Sequence, residues 1–300
     1  KYLKMFKKIL IVGCGLIGSS ILRATIKKKI SKKIFILEKS NKHIKQIKKL
    51  RLNCEVLKDY QKQIPNMDMI IICAHLGEYL KIFNKIEKYI NKNTIVTDVG
   101  SAKETIFRKI KPKIKKNISW ISSHPIAGSE VSGPKFGNEK LFSGKWCVLI
   151  KDKETNQKNL NKIKLFWKKM GSNVVFMNSK QHDYIFSITS HLPHLIAYNL
   201  VKTATDIEKE KKYDLIKYSA GGLRDFSRIA ASNEIMWRDI FFSNNKNISS
   251  VIDKFIKNLR SFQNDILKKN GKLTNKLINT KKVRRKIVSL KQDTNKPNFG

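Results

Sequence analysis

Gly13, Gly15 and Gly18 follow the apolar run KKILIVG and open the amphipathic run SSILRATIKKK. In that context the spacing suits a dinucleotide. The first glycine permits a tight turn, the second lets backbone approach a pyrophosphate, and the third lets a helix pack closely on a strand. The amides of the helix start, from Leu16 and Ile17 onward, then face phosphate oxygens. Glu38 ends the next apolar run. A carboxylate there bonds the adenosine ribose hydroxyls and repels a 2′-phosphate, which selects NAD over NADP; Lys39 and Lys42 beside it work against that selection. Asp98 ends a further apolar run, NTIVTD, and is expected at the same cofactor crevice, as is Ser101 just beyond it. Ser101 has an ordinary alternative, a helix N-cap with Glu104 completing a capping box.

Histidine and arginine supply the other candidate chemistry. His124 opens HPIAGSE directly after the apolar run ISWISS, which places it in a loop at the end of a strand. A histidine there can hold or move a proton near neutral pH, or merely cap a turn. His182-Asp183 and Ser190-His191-Leu-Pro-His194 form a second cluster, in which Ser190 and His194 share one helix face. No HExxH pattern or carboxylate cage accompanies these histidines, so no metal is expected. Gly221-Gly-Leu-Arg224-Asp225-Phe-Ser-Arg228 sets two arginines four apart in a chain with nine arginines and 54 lysines. The planar guanidinium binds carboxylates bidentately, which suggests an acidic substrate; the alternative is a surface Asp–Arg pair.

The elements that must position these residues are legible from periodicity. Strands are expected at 7–13, 33–39, 67–74, 93–100, 118–125, 145–150 and 173–178. Helices are expected at 19–29, 41–50, 78–90, 102–111 and 160–171. This alternation implies a parallel, doubly wound Rossmann-like α/β sheet over residues 1–178. From 179 to 300 the pattern is all-helical, with helices at 182–206, 213–220, 223–241 and 246–270, an interruption at Pro193 and a frayed polar end from about 290. With 300 residues, 41% of them hydrophobic, the chain can bury a core for two domains.

The net charge of +40 is mostly lysine spread along the whole chain, with KKVRRK (281–286) the one cluster, so a specific nucleic-acid partner is not expected. Four scattered cysteines without a CxxC pair suit a reduced cytoplasmic protein. No apolar run has the length of a membrane span, and the N-terminal stretch is not read as a secretion signal.

Taken together, ILIVGCGLIGSS, TDVGSAK, SHPIAGSEVSGP, LFSGKWCVL, SHLPHLIAY and GGLRDFSRIAAS followed by MWRDI resemble the prephenate dehydrogenase family. That family includes arogenate and cyclohexadienyl dehydrogenases of tyrosine biosynthesis. The resemblance runs from about residue 7 to 290 and implies a Rossmann domain followed by a helical domain that builds a homodimer. It also implies NAD-dependent oxidative decarboxylation of a small dicarboxylate. By motif position His124 matches the family's catalytic histidine and Ser101 the serine that helps hold the substrate hydroxyl. Arg228 matches the arginine that pairs with a substrate carboxylate. Ser190, His194 and His182 match pocket residues, and Glu130 a residue at the pocket entrance. Gly221 and Asp225 match positions shaping the arginine loop, and Trp237 an aromatic near the substrate that could reach across the dimer. A neutral His124 is required, so activity should fall at acidic pH.

Other readings remain open at this level: an arogenate-specific enzyme, another two-domain dehydrogenase such as a 3-hydroxyacid enzyme, or a polyanion-binding protein on an inactive Rossmann fold. The sequence departs from the family in Cys73-Ala-His75-Leu-Gly77, where relatives often carry proline. No regulatory domain is expected after the helical part, so any tyrosine feedback would act at the active site itself.

Overall fold

The computed structural model describes residues 4–114 and 118–290. The expected frayed end falls almost wholly outside them. The described residues form an eight-stranded sheet in the order β3-β2-β1-β4-β5-β6-β7-β8. The strands are β1 (Phe6–Val12), β2 (Ser31–Leu37), β3 (Glu55–Val56), β4 (Met69–Ile72), β5 (Ile95–Asp98), β6 (Ser119–Pro125), β7 (Trp146–Ile150) and β8 (Asn173–Met177). All pairings are parallel except β6 with β7, where His124 lies opposite Val148. That one antiparallel pair amends the all-parallel expectation. The two-residue β3 has no counterpart in the sequence reading, because two residues give no periodicity.

Alternation along the strands builds two helical layers. Ile9 and Ile11 of β1, with Met69 and Ile71 of β4, face one core with helices α1 (Leu16–Lys27), α2 (Asn41–Lys49) and, further along the chain, residues 157–170. Leu10, Val12, Ile70 and Ile72 point the other way. After the short helix α3 (Tyr60–Gln63), α4 (Tyr79–Ile86) and α5 (Glu104–Ile110) cover that second face, and α6 (Gln157–Met170) completes the first. Residues 9–12 of β1 and 69–72 of β4 are thus apolar on both sides, as strands covered on both faces require.

Beyond β8 come α7 (Ser179–Phe186), a π turn at Ser187–His191, α8 (Leu192–Lys211), α9 (Gly221–Ser227) and α10 (Glu234–Ser243). Pro193 does mark an interruption: it sits in the first turn of α8, just past the π turn, where its missing N–H costs nothing. The helix expected at 213–220 is instead one short turn, Ile216–Tyr218. Its apolar residues repeat at helical spacing but find no surface to cover, and Tyr218 is 77% exposed. Trp237 and Ile240 of α10 pack into the core on the α4–α5 face.

Residues through Ile248 form one compact unit and those from Ser249 a second. Helix α11 (Asn245–Leu267) runs into the second unit, which also contains α12 (Lys272–Ser289), a helix not read from the sequence. Within that unit Lys276 bonds Asp265 at 2.5 Å and the Ser261 hydroxyl at 2.6 Å.

The glycine turn leaves no room for a side chain at Gly18. A Cβ at Gly18 would lie 2.1 Å from the Gly13 carbonyl oxygen, a backbone atom that cannot swing aside. Gly18→Ala should therefore cost about 1–3 kcal/mol through overpacking. That corresponds to a fall in Tm of roughly 2–10 °C by calorimetry, whereas a Tm unchanged within a degree would show that α1 slides freely on β1.

Candidate active site

The parallel strands β1, β4, β5 and β6 all end on one edge of the sheet, and the strand order reverses between β1 and β4. That edge carries the candidate residues. Gly13 adopts φ 86°, closing the turn after β1, and donates its N–H to the Leu37 carbonyl at 2.8 Å. Nothing lies within 4 Å of a Cβ built at Gly15, so backbone faces open space there. Gly15 also caps α1 without a side-chain hydrogen bond, leaving the first amides of α1 available to an anion. Glu38 is tied to this turn: Oε2 accepts the Cys14 N–H at 2.8 Å and Oε1 the Ser40 N–H at 2.9 Å. Lys39 turns aside to pair with Glu78 at 2.9 Å, so its charge does not offset Glu38. These features fit the pyrophosphate and ribose of a dinucleotide.

Asp98 is placed differently from the sequence expectation. It is fully buried, and its Oδ2 accepts from Lys103 Nζ at 2.5 Å and from the Gly100 N–H at 3.0 Å. Oδ1 takes the Ser122 hydroxyl at 2.5 Å and Trp120 Nε1 at 3.2 Å. With both oxygens occupied by protein donors, its carboxylate anchors the edge rather than meeting a cofactor. Lys103, also fully buried, donates its second hydrogen bond to the Ser123 carbonyl at 2.6 Å. It thereby fixes the residue before His124.

His124 closes β6 and is 8% exposed. Its Nδ1 lies 2.8 Å from His182 Nε2, and His182 Nδ1 lies 2.8 Å from Asp183 Oδ1. Phe186 packs on both rings, with centroids 4.8 Å from His124 and 4.5 Å from His182. His124 Nε2 has no hydrogen-bond partner among the described residues. Burial pushes His124 well below the ordinary histidine range, and His182, Lys103 and His191 push in the same direction. Burial likewise lowers His182, against the opposing pull of Asp183, so both rings are neutral near pH 7. His182 is fully buried behind His124. It therefore supports that ring and does not line a substrate pocket, which corrects its sequence assignment.

Asp183 also holds α5. Its Oδ1 accepts the Lys103 N–H and its Oδ2 the Glu104 N–H, each at 2.8 Å. Helix α5 starts at Glu104 with no cap from Ser101, so the capping-box alternative fails. The Ser101 hydroxyl is left without a hydrogen-bond partner among the described residues and stays half-buried.

Along the π turn and α8, His191 is buried, held by Asn244 at 3.1 Å and lowered by burial to about 4. His194 Nδ1 bonds the Ser190 carbonyl at 2.9 Å, joining the pair expected on one helix face. Trp237 stacks on His194 with centroids 3.7 Å apart. It is 5% exposed, and its ring packs against residues of its own chain. Arg228 forms an ion pair with Glu130, not with Asp225. Gly221 and Asp225 lie exposed on α9 with no ion pair among the described residues. The sequence reading gave no role to Lys103, Asp183 or Asn244. The spacing Asp98-x4-Lys103 and the pair His182-Asp183 were visible, but nothing in them says that a lysine is buried or that a carboxylate bridges two elements.

A dinucleotide edge flanked by a buried neutral histidine defines an oxidoreductase of the Rossmann class. Comparison with known proteins narrows the class. The family profile "Prephenate dehydrogenase, nucleotide-binding domain" matches residues 21–176, and "Prephenate dehydrogenase, dimerization domain" matches residues 178–280. The chain belongs to the prephenate dehydrogenase family. It is 31% identical to a cyclohexadienyl dehydrogenase of Zymomonas mobilis, over 89% of this chain and 91% of that one. A prephenate dehydrogenase of Bacillus subtilis is 29% identical over 85% of this chain and 69% of its own length. The prephenate dehydrogenase of A. aeolicus, solved with hydroxyphenyl propionate and NAD+, superposes with a TM-score of 0.89 at 31% identity, covering 96% of this chain and 100% of that one. The nucleotide-binding match starts after the glycine turn, so the assignment of Gly13, Gly15 and Gly18 rests on their geometry.

Proposed function

We propose that the protein oxidatively decarboxylates prephenate to 4-hydroxyphenylpyruvate with NAD+, the aromatising step of tyrosine biosynthesis. The observation that carries this reading is His124, a buried neutral histidine with an unpartnered Nε2 at the edge that bears the glycine turn. Bound NAD+ supplies the acceptor for the hydride leaving the hydroxyl-bearing ring carbon. Gly13, Gly15, Gly18 and the amides of Leu16 and Ile17 would hold its pyrophosphate, and Glu38 its ribose. His124 Nε2 accepts the hydrogen of the 4-hydroxyl and returns it to the phenol oxygen, so no proton is released overall. Ser101 holds that hydroxyl in line. Arg228 exchanges Glu130 for the ring carboxylate, and Ser190 with His194 meets the side chain. Aromatisation drives the reaction, so the protein's contribution is orientation and local electrostatics.

The substrate domain begins after residue 178 in this reading, where β8 has ended. The chain pairs as a homodimer through its helical part, in keeping with the dimerization match. Four free thiols suit a cytoplasmic location.

NADH absorbance on mixing the protein with NAD+ and prephenate, then with arogenate, tests the function. Growth with prephenate supports it, and growth with arogenate as well would make the enzyme a cyclohexadienyl dehydrogenase. Growth with arogenate alone, or with neither, contradicts it. The pH profile is a second test. The neutral form of His124 predominates above its lowered pKa and is lost only as pH falls through it. Hence kcat should stay flat from pH 8 to below 6, and an inflection near the ordinary value of about 6.5 would contradict the burial of His124.

A further inference from the structure

His124 can serve the reaction only if the nitrogen it offers to the substrate is bare. The chain itself determines which nitrogen that is. Both oxygens of Asp183 accept backbone N–H groups, from Lys103 and Glu104. A carboxylate so engaged is an acceptor toward His182, so His182 Nδ1 carries hydrogen. A neutral His182 then has a bare Nε2, which can only accept. The hydrogen between the two rings must therefore sit on His124 Nδ1, and His124 Nε2 is left bare.

The geometry points to Asp183 and His182 as positioning residues that lock His124 in the Nδ1–H form, with Nε2 open to the substrate hydroxyl. The inference rests on the proposed function for its kinetic consequence, but the tautomer itself does not depend on it. When His124 takes up the hydroxyl hydrogen, the resulting imidazolium keeps its Nδ1–H bond to His182. Asp183 steadies that bond from behind without itself being protonated. Because Asp183 also anchors the start of α5, one carboxylate holds both the Ser101–Lys103 segment and the histidine pair. The charged and titratable groups around His124 are His182 and Asp183 on α7, Lys103 ahead of α5, Asp98 on β5, Cys147 on β7 and His191 in the π turn.

The test is nitrogen NMR of the full-length protein labelled in its six histidines, without substrate, together with steady-state kinetics. The wild type should show His124 protonated at Nδ1 alone. His182→Phe keeps a ring against Phe186 but offers no acceptor. His124 should then shift to a mixture rich in the Nε2–H form, and kcat should fall roughly 10²-fold or more with KM within about threefold. His182→Gln restores an acceptor and should recover at least about tenfold of that loss, which a purely packing role for His182 would not produce. Asp183→Asn should move the tautomer in the same direction as His182→Phe. An Nε2–H form in the wild type overturns the inference whether or not any variant folds. So does His182→Phe with unchanged kcat and tautomer. Failure of wild-type turnover with a confirmed Nδ1–H form would instead count against the proposed function alone.

Discussion

His124→Asn should lower kcat about 10³-fold while leaving KM for prephenate within about threefold. Asparagine keeps a polar group near His182 and leaves the backbone register of β6 intact, since His124 pairs with Val148 through the main chain. What it removes is a neutral nitrogen able to hold the hydroxyl hydrogen as the hydride departs. Substrate binding draws on Arg228 and on the Ser190–His194 pair, none of which touches His124 through a recorded hydrogen bond, so KM should be spared. NAD+ affinity, measured by calorimetry, should also be unchanged because the glycine turn lies at β1. Steady-state rates at pH 8 decide the matter: turnover within tenfold of wild type would remove His124 from the chemistry.

Arg228→Ala should act on the other parameter, raising KM about tenfold with kcat within about threefold. A charge-assisted bond to a carboxylate is worth about 1.5–3 kcal/mol, but the Arg228 side chain is 60% exposed and already paired with Glu130. Exchange of one carboxylate for another and solvent screening both reduce the net gain, hence the lower end of the range. Arg228→Lys should fall between wild type and alanine, because it keeps the charge and loses the planar fork. A fall in kcat with unchanged KM would show that Arg228 acts in the transition state and not in substrate capture.

Much of this arrangement was legible in the sequence because it is local. The glycine turn, the strand ends that deliver Glu38 and His124, and the Ser190–His194 face are set by residues within a few positions of one another. Periodicity therefore placed them. Pairings between distant elements were not legible. Asp98 reads as a polar residue at a crevice, yet Trp120 and Ser122 of β6 close over one oxygen while Gly100 and the folded-back Lys103 take the other. His182 reads as a pocket histidine, yet lies behind His124 because α7 packs against β7 and α5. Lys103 reads as one more lysine among 54 and is fully buried. The helix expected at 213–220 failed for the converse reason: its spacing was helical but nothing in the fold covers it.

The central claim is that hydride removal and loss of the ring carboxylate occur together on this chain. Prephenate carrying a labelled ring carboxylate, incubated with the protein and NAD+, tests it most directly when NADH and released carbon dioxide are followed in the same sample. The account predicts equimolar appearance of both at the same rate, abolished together in His124→Asn. Carbon dioxide without NADH, or NADH without carbon dioxide, would contradict it.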